Sequence, residues 1–129
     1  MKLSTYGFKD LARTYSVIQF EDQEIGVIVE KLKNTPINDL KEIISKTLGT
    51  EIRELSVATG KLLYENQLLD MAYLRVNTID NEEYILEIYR ESGTAITNMT
   101  TPEAHKKIII LLKGLYPEIR MPRTRIIGF

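Results

Sequence analysis

Thr35-Pro36-Ile37-Asn38-Asp39-Leu40-Lys41-Glu42-Ile43-Ile44-Ser45-Lys46-Thr47-Leu48-Gly49 is the stretch that decides the architecture. Ile37, Leu40, Ile44 and Leu48 recur at intervals of three and four, which gathers them on one helical stripe, and Ile43 widens it. Thr35 suits an N-cap, Pro36 the first helical position and Gly49 a left-handed stop. The spacing predicts a helix over 36–48, with strands on either side.

Upstream, 8–14 has room for one or two helical turns. Segments 15–20 and 25–30 are rich in β-formers, and the break Glu21-Asp22-Gln23-Glu24 predicts a hairpin between them. Downstream, 52–58 alternates, with Leu55 and Val57 on one face; Thr59-Gly60 reads as a turn and 61–65 as its returning partner. Segment 68–71 fits a helical turn or a strand lead-in. Segments 73–79 and 84–90 form a second expected hairpin around Asp80-Asn81-Glu82-Glu83, with Leu74 and Val76 sharing a face with Leu86 and Ile88. Ser92-Gly93 then turns into an expected edge strand at 94–98. Thr101 caps a last helix, Pro102 starts it, Glu103 suits its positive end and Gly114 stops it, giving 102–113. Ala104, Ile108, Leu111, Leu112 and Leu115 make its main face. Ile109 and Ile110 lie off that face, so the helix is expected to be covered on more than one side.

These elements make an α+β fold: a mainly antiparallel sheet, built from two hairpins plus a meander, covered by two main helices at about 36–48 and 102–113. Residues 1–116 read as one domain and 117–129 as a basic and apolar C-terminal arm. At 129 residues the chain is long enough to bury a real core. The absence of cysteine excludes disulfides and thiolate chemistry, and it fits a reducing, cytoplasmic setting. No signal peptide is expected at the start, and no stretch approaches the roughly 18 apolar residues of a membrane span.

The net charge of −1 hides an asymmetry. Residues 1–98 are acidic on balance, whereas 99–129 carry Lys106, Lys107, Lys113, Arg120, Arg123 and Arg125 against Glu103 and Glu118. Arginine forks suit phosphate or carboxylate. Arg120, Arg123 and Arg125, bracketed by Pro117 and Pro122, are therefore the candidate ligand-binding residues, with Lys106 adding charge and Tyr116 an aromatic wall. Ile109 and Ile110, with Ile126, Ile127 and Phe129 of the tail, are the candidate oligomer contact, since three large apolar side chains on a terminus call for a docking surface. Intersubunit pairing with the acidic body is an equal use for the arginines. The acidic chain pI reads against nucleic-acid binding.

No catalytic constellation emerges. His105 is alone and is expected to face solvent from the last helix; metal sites need several ligands. The carboxylate pairs Glu21/Asp22 and Glu82/Glu83 fall in expected turns. Ala58-Thr59-Gly60-Lys61 resembles the end of a phosphate loop, but Leu55 stands where the first glycine is required and no Ser or Thr follows to meet Mg²⁺. The seven tyrosines fit ligand walls and half-buried strand positions equally.

The order hairpin, helix, strand, tight turn, strand, last strand, carried by 15–33, 35–49, 54–65 around Thr59-Gly60, and 83–90, resembles a ubiquitin-like β-grasp domain. The resemblance implies an interaction module. The extra strand at 73–79 and the ending Gly128-Phe129 depart from that pattern.

The sequence thus points to a non-catalytic, oligomeric binding protein that holds or sequesters a small anionic, nucleotide-like ligand, with neither cofactor nor metal. The alternative is a protein–protein adaptor or inhibitor of the kind mobile elements encode.

Overall fold

The computed structural model describes residues 15–20, 22–119 and 123–127. In chain order the elements are β1 (Tyr15–Gln19), α1 (Asp22–Asn34), α2 (Ile37–Leu48), β2 (Ile52–Tyr64), β3 (Gln67–Thr78), β4 (Glu83–Tyr89), β5 (Thr94–Thr97), α3 (Pro102–Leu115) and β6 (Arg123–Ile127). The six strands form one sheet in the order β2-β3-β4-β5-β1-β6, antiparallel at every pairing. The expected α+β class is therefore the observed one.

All three helices pack on one face of the sheet. Ile25, Ile28, Val29 and Leu32 of α1, Leu40 and Ile44 of α2, and Ile108, Leu111, Leu112 and Leu115 of α3 share a core with Ile18, Ala72, Leu74, Val76, Tyr84, Leu86, Ile88 and Ala95. The β3–β4 hairpin is as expected, with Leu74 opposite Leu86 and Val76 opposite Tyr84. Gly49 closes α2 at φ 70°, in the left-handed region that glycine adopts without strain. The Thr101 hydroxyl accepts from the Ala104 N–H at 3.1 Å and caps α3.

Several expectations are corrected. Segment 25–30 is helix, not strand: Ile25, Ile28, Val29 and Leu32 fall at helical spacing, and burying that stripe outweighs the β-propensity of isoleucine and valine. The first expected hairpin is therefore absent, and with it the β-grasp topology; β1 pairs instead with β5 and β6. Thr35 does not cap α2. Its N–H bonds the Lys31 carbonyl at the end of α1, and the cap position falls to Pro36 with no side-chain bond. Thr59-Gly60 is not a turn. β2 runs through it, and the reversal comes at Glu65 and Asn66, whose φ values of 48° and 65° mark a two-residue hairpin turn. β5 is interior, between β4 and β1.

Gly114 does not end α3, which continues to Leu115. It lies tightly against α2: a Cβ there would overlap Thr47 Oγ1 and lie 2.7 Å from Thr47 Cγ2. The tail segment 123–127 adds β6 to the sheet of its own chain. No helix among the described residues is long and apolar enough to cross a membrane.

Candidate functional site

The fold distributes the expected site residues rather than gathering them. Arg123 and Arg125 lie in β6, opposite Gln19 and Val17 of β1. Lys106 is exposed on α3, and Tyr116 packs half-buried against the core. Arg120 and Phe129 lie outside the described residues. Among the expected oligomer residues, Ile110 is 46% exposed and Ile109 packs against the core, while Ile126 and Ile127 lie in β6 opposite Ser16 and Tyr15 of the same chain.

His105 is half-buried rather than solvent-facing, and its Nε2 meets Ser16 Oγ on β1. Ser16 donates its one proton to the Met99 carbonyl at 2.7 Å, which makes the imidazole N–H the donor to Ser16. A serine whose proton is already given to a carbonyl, facing a donor rather than a base, is not an activated nucleophile. The contact ties α3 to β1.

On the sheet face away from the helices, Glu87 is fully buried and accepts from the Tyr89 hydroxyl at 2.7 Å, while its other oxygen has no hydrogen-bond partner among the described residues. The register runs Tyr73, Glu87, Ile96, Val17, Arg125 across five strands. The Arg125 backbone is thus three strand spacings, or about 14 Å, from that of Glu87. Burial pushes the neighbouring Tyr73 hydroxyl above its ordinary range, with Arg75 opposing. Among the described residues no cluster of three or more histidine or carboxylate side chains is arranged to hold a metal.

Charges converge elsewhere, in a cleft of about 260 Å³ between α1 and the β2–β3 hairpin, lined by Glu30, Lys33, Thr59, Lys61, Asp70 and Arg90 among others. The antiparallel register sets Lys61 opposite Asp70, and their charged groups meet at 2.5 Å. The hydrogen bond from Lys61 holds the Asp70 carboxyl below its ordinary range; burial opposes it, and Arg90 and Lys33 add to it. Arg90 follows β4, and its backbone N–H bonds the Asp70 carbonyl at 3.0 Å, which brings the side chain to the cleft.

The Arg90 guanidinium lies against α1 at Gly26, where an added Cβ would stand 3.3 Å from Nη2. It faces Glu30 at 3.8 Å and Asp70 at 3.7 Å, beyond hydrogen-bonding distance from both. Among the described residues no side-chain hydrogen bond engages this planar fork. Gly60, with nothing within 4 Å of a built Cβ, leaves the β2 side of the cleft open. A wider groove between α2 and β2 has one cation, Lys41, beside Glu42 and Glu51, and offers an anion little.

Two features of the sequence hide the cleft. The β-propensity of 25–30 masks the helical wall that holds Gly26, Glu30 and Lys33, and the turn chemistry of Thr59-Gly60 masks the pairing of Lys61 with Asp70.

No protein-family model and no curated protein matches the chain. A solved structure, that of the adenosylmethionine decarboxylase from Aquifex aeolicus VF5, is similar at 13% identity and a TM-score of 0.45, over 91% of this chain and 90% of that one. A likeness of that size carries no argument about activity.

Proposed function

We propose that the chain is a non-catalytic binding protein for a small anionic ligand, held in the cleft between α1 and the β2–β3 hairpin. The observation that carries this reading is the Arg90 guanidinium, placed by Gly26 and the β4 end with two carboxylates near it and hydrogen-bonded to neither. A phosphate or carboxylate approaching from the open side would take the fork bidentately, and Lys33 and Lys61 would supply further charge. Asp70 and Glu30 keep the three cations close together in the empty cleft and would yield them to a stronger acceptor. The donor role of His105 toward Ser16 supports a reading without covalent chemistry.

The test is titration of the full chain with inorganic phosphate, followed by two-dimensional NMR. The expected result is saturable shifts at Gly60, Lys33 and Arg90, lost in Arg90→Ala and weakened in Arg90→Lys, which keeps the charge but not the fork. Unsaturable shifts spread evenly over the surface lysines, unchanged by Arg90→Ala, would refute it.

A further inference from the structure

The β2–β3 hairpin is longer than the sheet that supports it. β2 and β3 pair from Ile52–Thr78 out to Tyr64–Gln67, whereas β4 pairs with β3 only as far as Met71, opposite Tyr89. Just past β4, Arg90 still bonds the Asp70 carbonyl, and residues 61–69 form an arm beyond it that β4 does not pair with. On that arm Leu63 stands opposite Leu68, and the two are 59% and 65% exposed. They are one strand repeat beyond the opposed pair Lys61 and Asp70.

Side chains two residues apart on a strand project from the same face, about 7 Å apart. Asp70 shares its face with the core residues Ala72 and Leu74, on the side where α1 packs, so the leucine pair continues the face that carries the charged cleft. Scattered surface leucines need no explanation. Two opposed leucines aligned with a cluster of three cations are different, because each half alone is a poor site. The apolar pair lacks a wall, and the cations are partly neutralised by Asp70 and Glu30.

Resting on the anion-binding reading above, we infer that the ligand is an amphiphilic anion: a phosphate or carboxylate head taken by Arg90, Lys33 and Lys61, joined to an apolar body that lies along Leu63 and Leu68. The distance along the strand sets its shape, with the body beginning about 7 Å from the charged head. Covering both leucines removes exposed apolar surface from water and sets the advantage of such a ligand over its bare head at about tenfold.

The experiment compares inorganic phosphate, hexyl phosphate and adenosine 5′-monophosphate on the full chain by calorimetry, in wild type, Arg90→Ala and the double variant Leu63→Thr/Leu68→Thr. Threonine keeps strand propensity at two exposed positions, so the fold is retained. The expected result is that one organophosphate binds about tenfold tighter than phosphate, and that the double variant removes this advantage while leaving phosphate affinity unchanged. Hexyl phosphate as the winner identifies an alkyl body, and the nucleotide a stacked ring.

Two results overturn the inference alone: phosphate binds and Arg90→Ala abolishes it, yet both organophosphates bind no tighter, or their advantage survives the double variant. A dimer at assay concentration that the double variant dissociates would also overturn it, because a second copy then covers the leucines. If no probe binds at all, the anion-binding reading falls and takes this one with it.

Discussion

Replacing Gly114 with alanine sets two known effects against each other and lets the packing of α2 on α3 be measured. In an isolated helix the change stabilises, because alanine is about 0.8–1.0 kcal/mol the better helix former. Here the new methyl would overlap Thr47 Oγ1 and lie 2.7 Å from Thr47 Cγ2 and 2.9 Å from Thr47 Cβ. Rotating the threonine does not relieve this, since Cβ stays in place and the hydroxyl would give up its 2.7 Å bond to the Ile43 carbonyl. The helices must therefore separate, and overpacking of this kind costs about 1–3 kcal/mol, with occasional larger values. A contact this close to a Cβ that cannot rotate away belongs near the top of that range, so the net loss is about 1–2 kcal/mol. Urea unfolding followed by circular dichroism measures it. Gly114→Ala should lower the midpoint with no change in slope, and in a Thr47→Gly background the same change should become neutral or stabilising. A Gly114→Ala protein as stable as wild type, or an equal loss in both backgrounds, would show that α2 and α3 do not meet as described.

Four further outcomes follow from named residues. Ser16→Ala should cost about 1–3 kcal/mol in urea unfolding, because it leaves the Met99 carbonyl and the His105 N–H facing a methyl in a closed space. Glu65→Asn with Asn66→Gly should raise stability by roughly 1 kcal/mol, since both positions hold positive φ and Asn-Gly is the preferred pair for such a turn. The Asp70 carboxyl titrates lower in the folded chain than in the unfolded one, so the unfolded state binds more protons in that interval. Its contribution is present at neutral pH and is lost as pH falls below about 4. Asp70→Asn should therefore flatten stability between pH 5 and pH 3 relative to wild type. The same variant should tighten phosphate binding several-fold at pH 7 by removing the carboxylate that competes for Lys61 and Arg90.

Where one physical effect dominated a segment, the fold was legible in the sequence. The stripe Ile37, Leu40, Ile44, Leu48 had no competing reading and gave α2 within a residue at each end. Thr101 and Pro102 fixed the start of α3 in the same way. Misreadings fall where two effects disagree and the tie is broken by distant residues. Segment 25–30 has strand propensity and helical spacing, and what decides between them is the core of Leu40, Leu74 and Ile108 that α1 covers. Thr59-Gly60 has turn chemistry, yet its backbone is held straight by pairing with Ala72 and Met71. Gly114 looks like a terminator because the sequence cannot show Thr47 beside it.

The candidate site follows the same logic more severely. A cleft is made where separate elements meet, so its legibility is the product of the legibility of each wall. Arg90, Asp70 and Lys61 come from three strands or their ends, and Glu30, Lys33 and Gly26 from a helix that reads as strand. One misassigned element dissolves it, whereas Arg120, Arg123 and Arg125 lie close together in sequence and are visible without a fold. Adjacency in sequence favours a shared partner only if nothing else claims the backbone. Here β1 claims it, through the register that sets Arg123 against Gln19 and Arg125 against Val17. The cleft is lined by α1, the β2–β3 hairpin and the end of β4, so Gly114→Ala, which disturbs the α2–α3 contact outside that lining, should leave anion binding intact as long as the chain stays folded. Loss of binding in that variant under native conditions would mean that α1 takes its position from the whole helical layer, and that the cleft belongs to the fold as a unit and not to α1 and the hairpin alone.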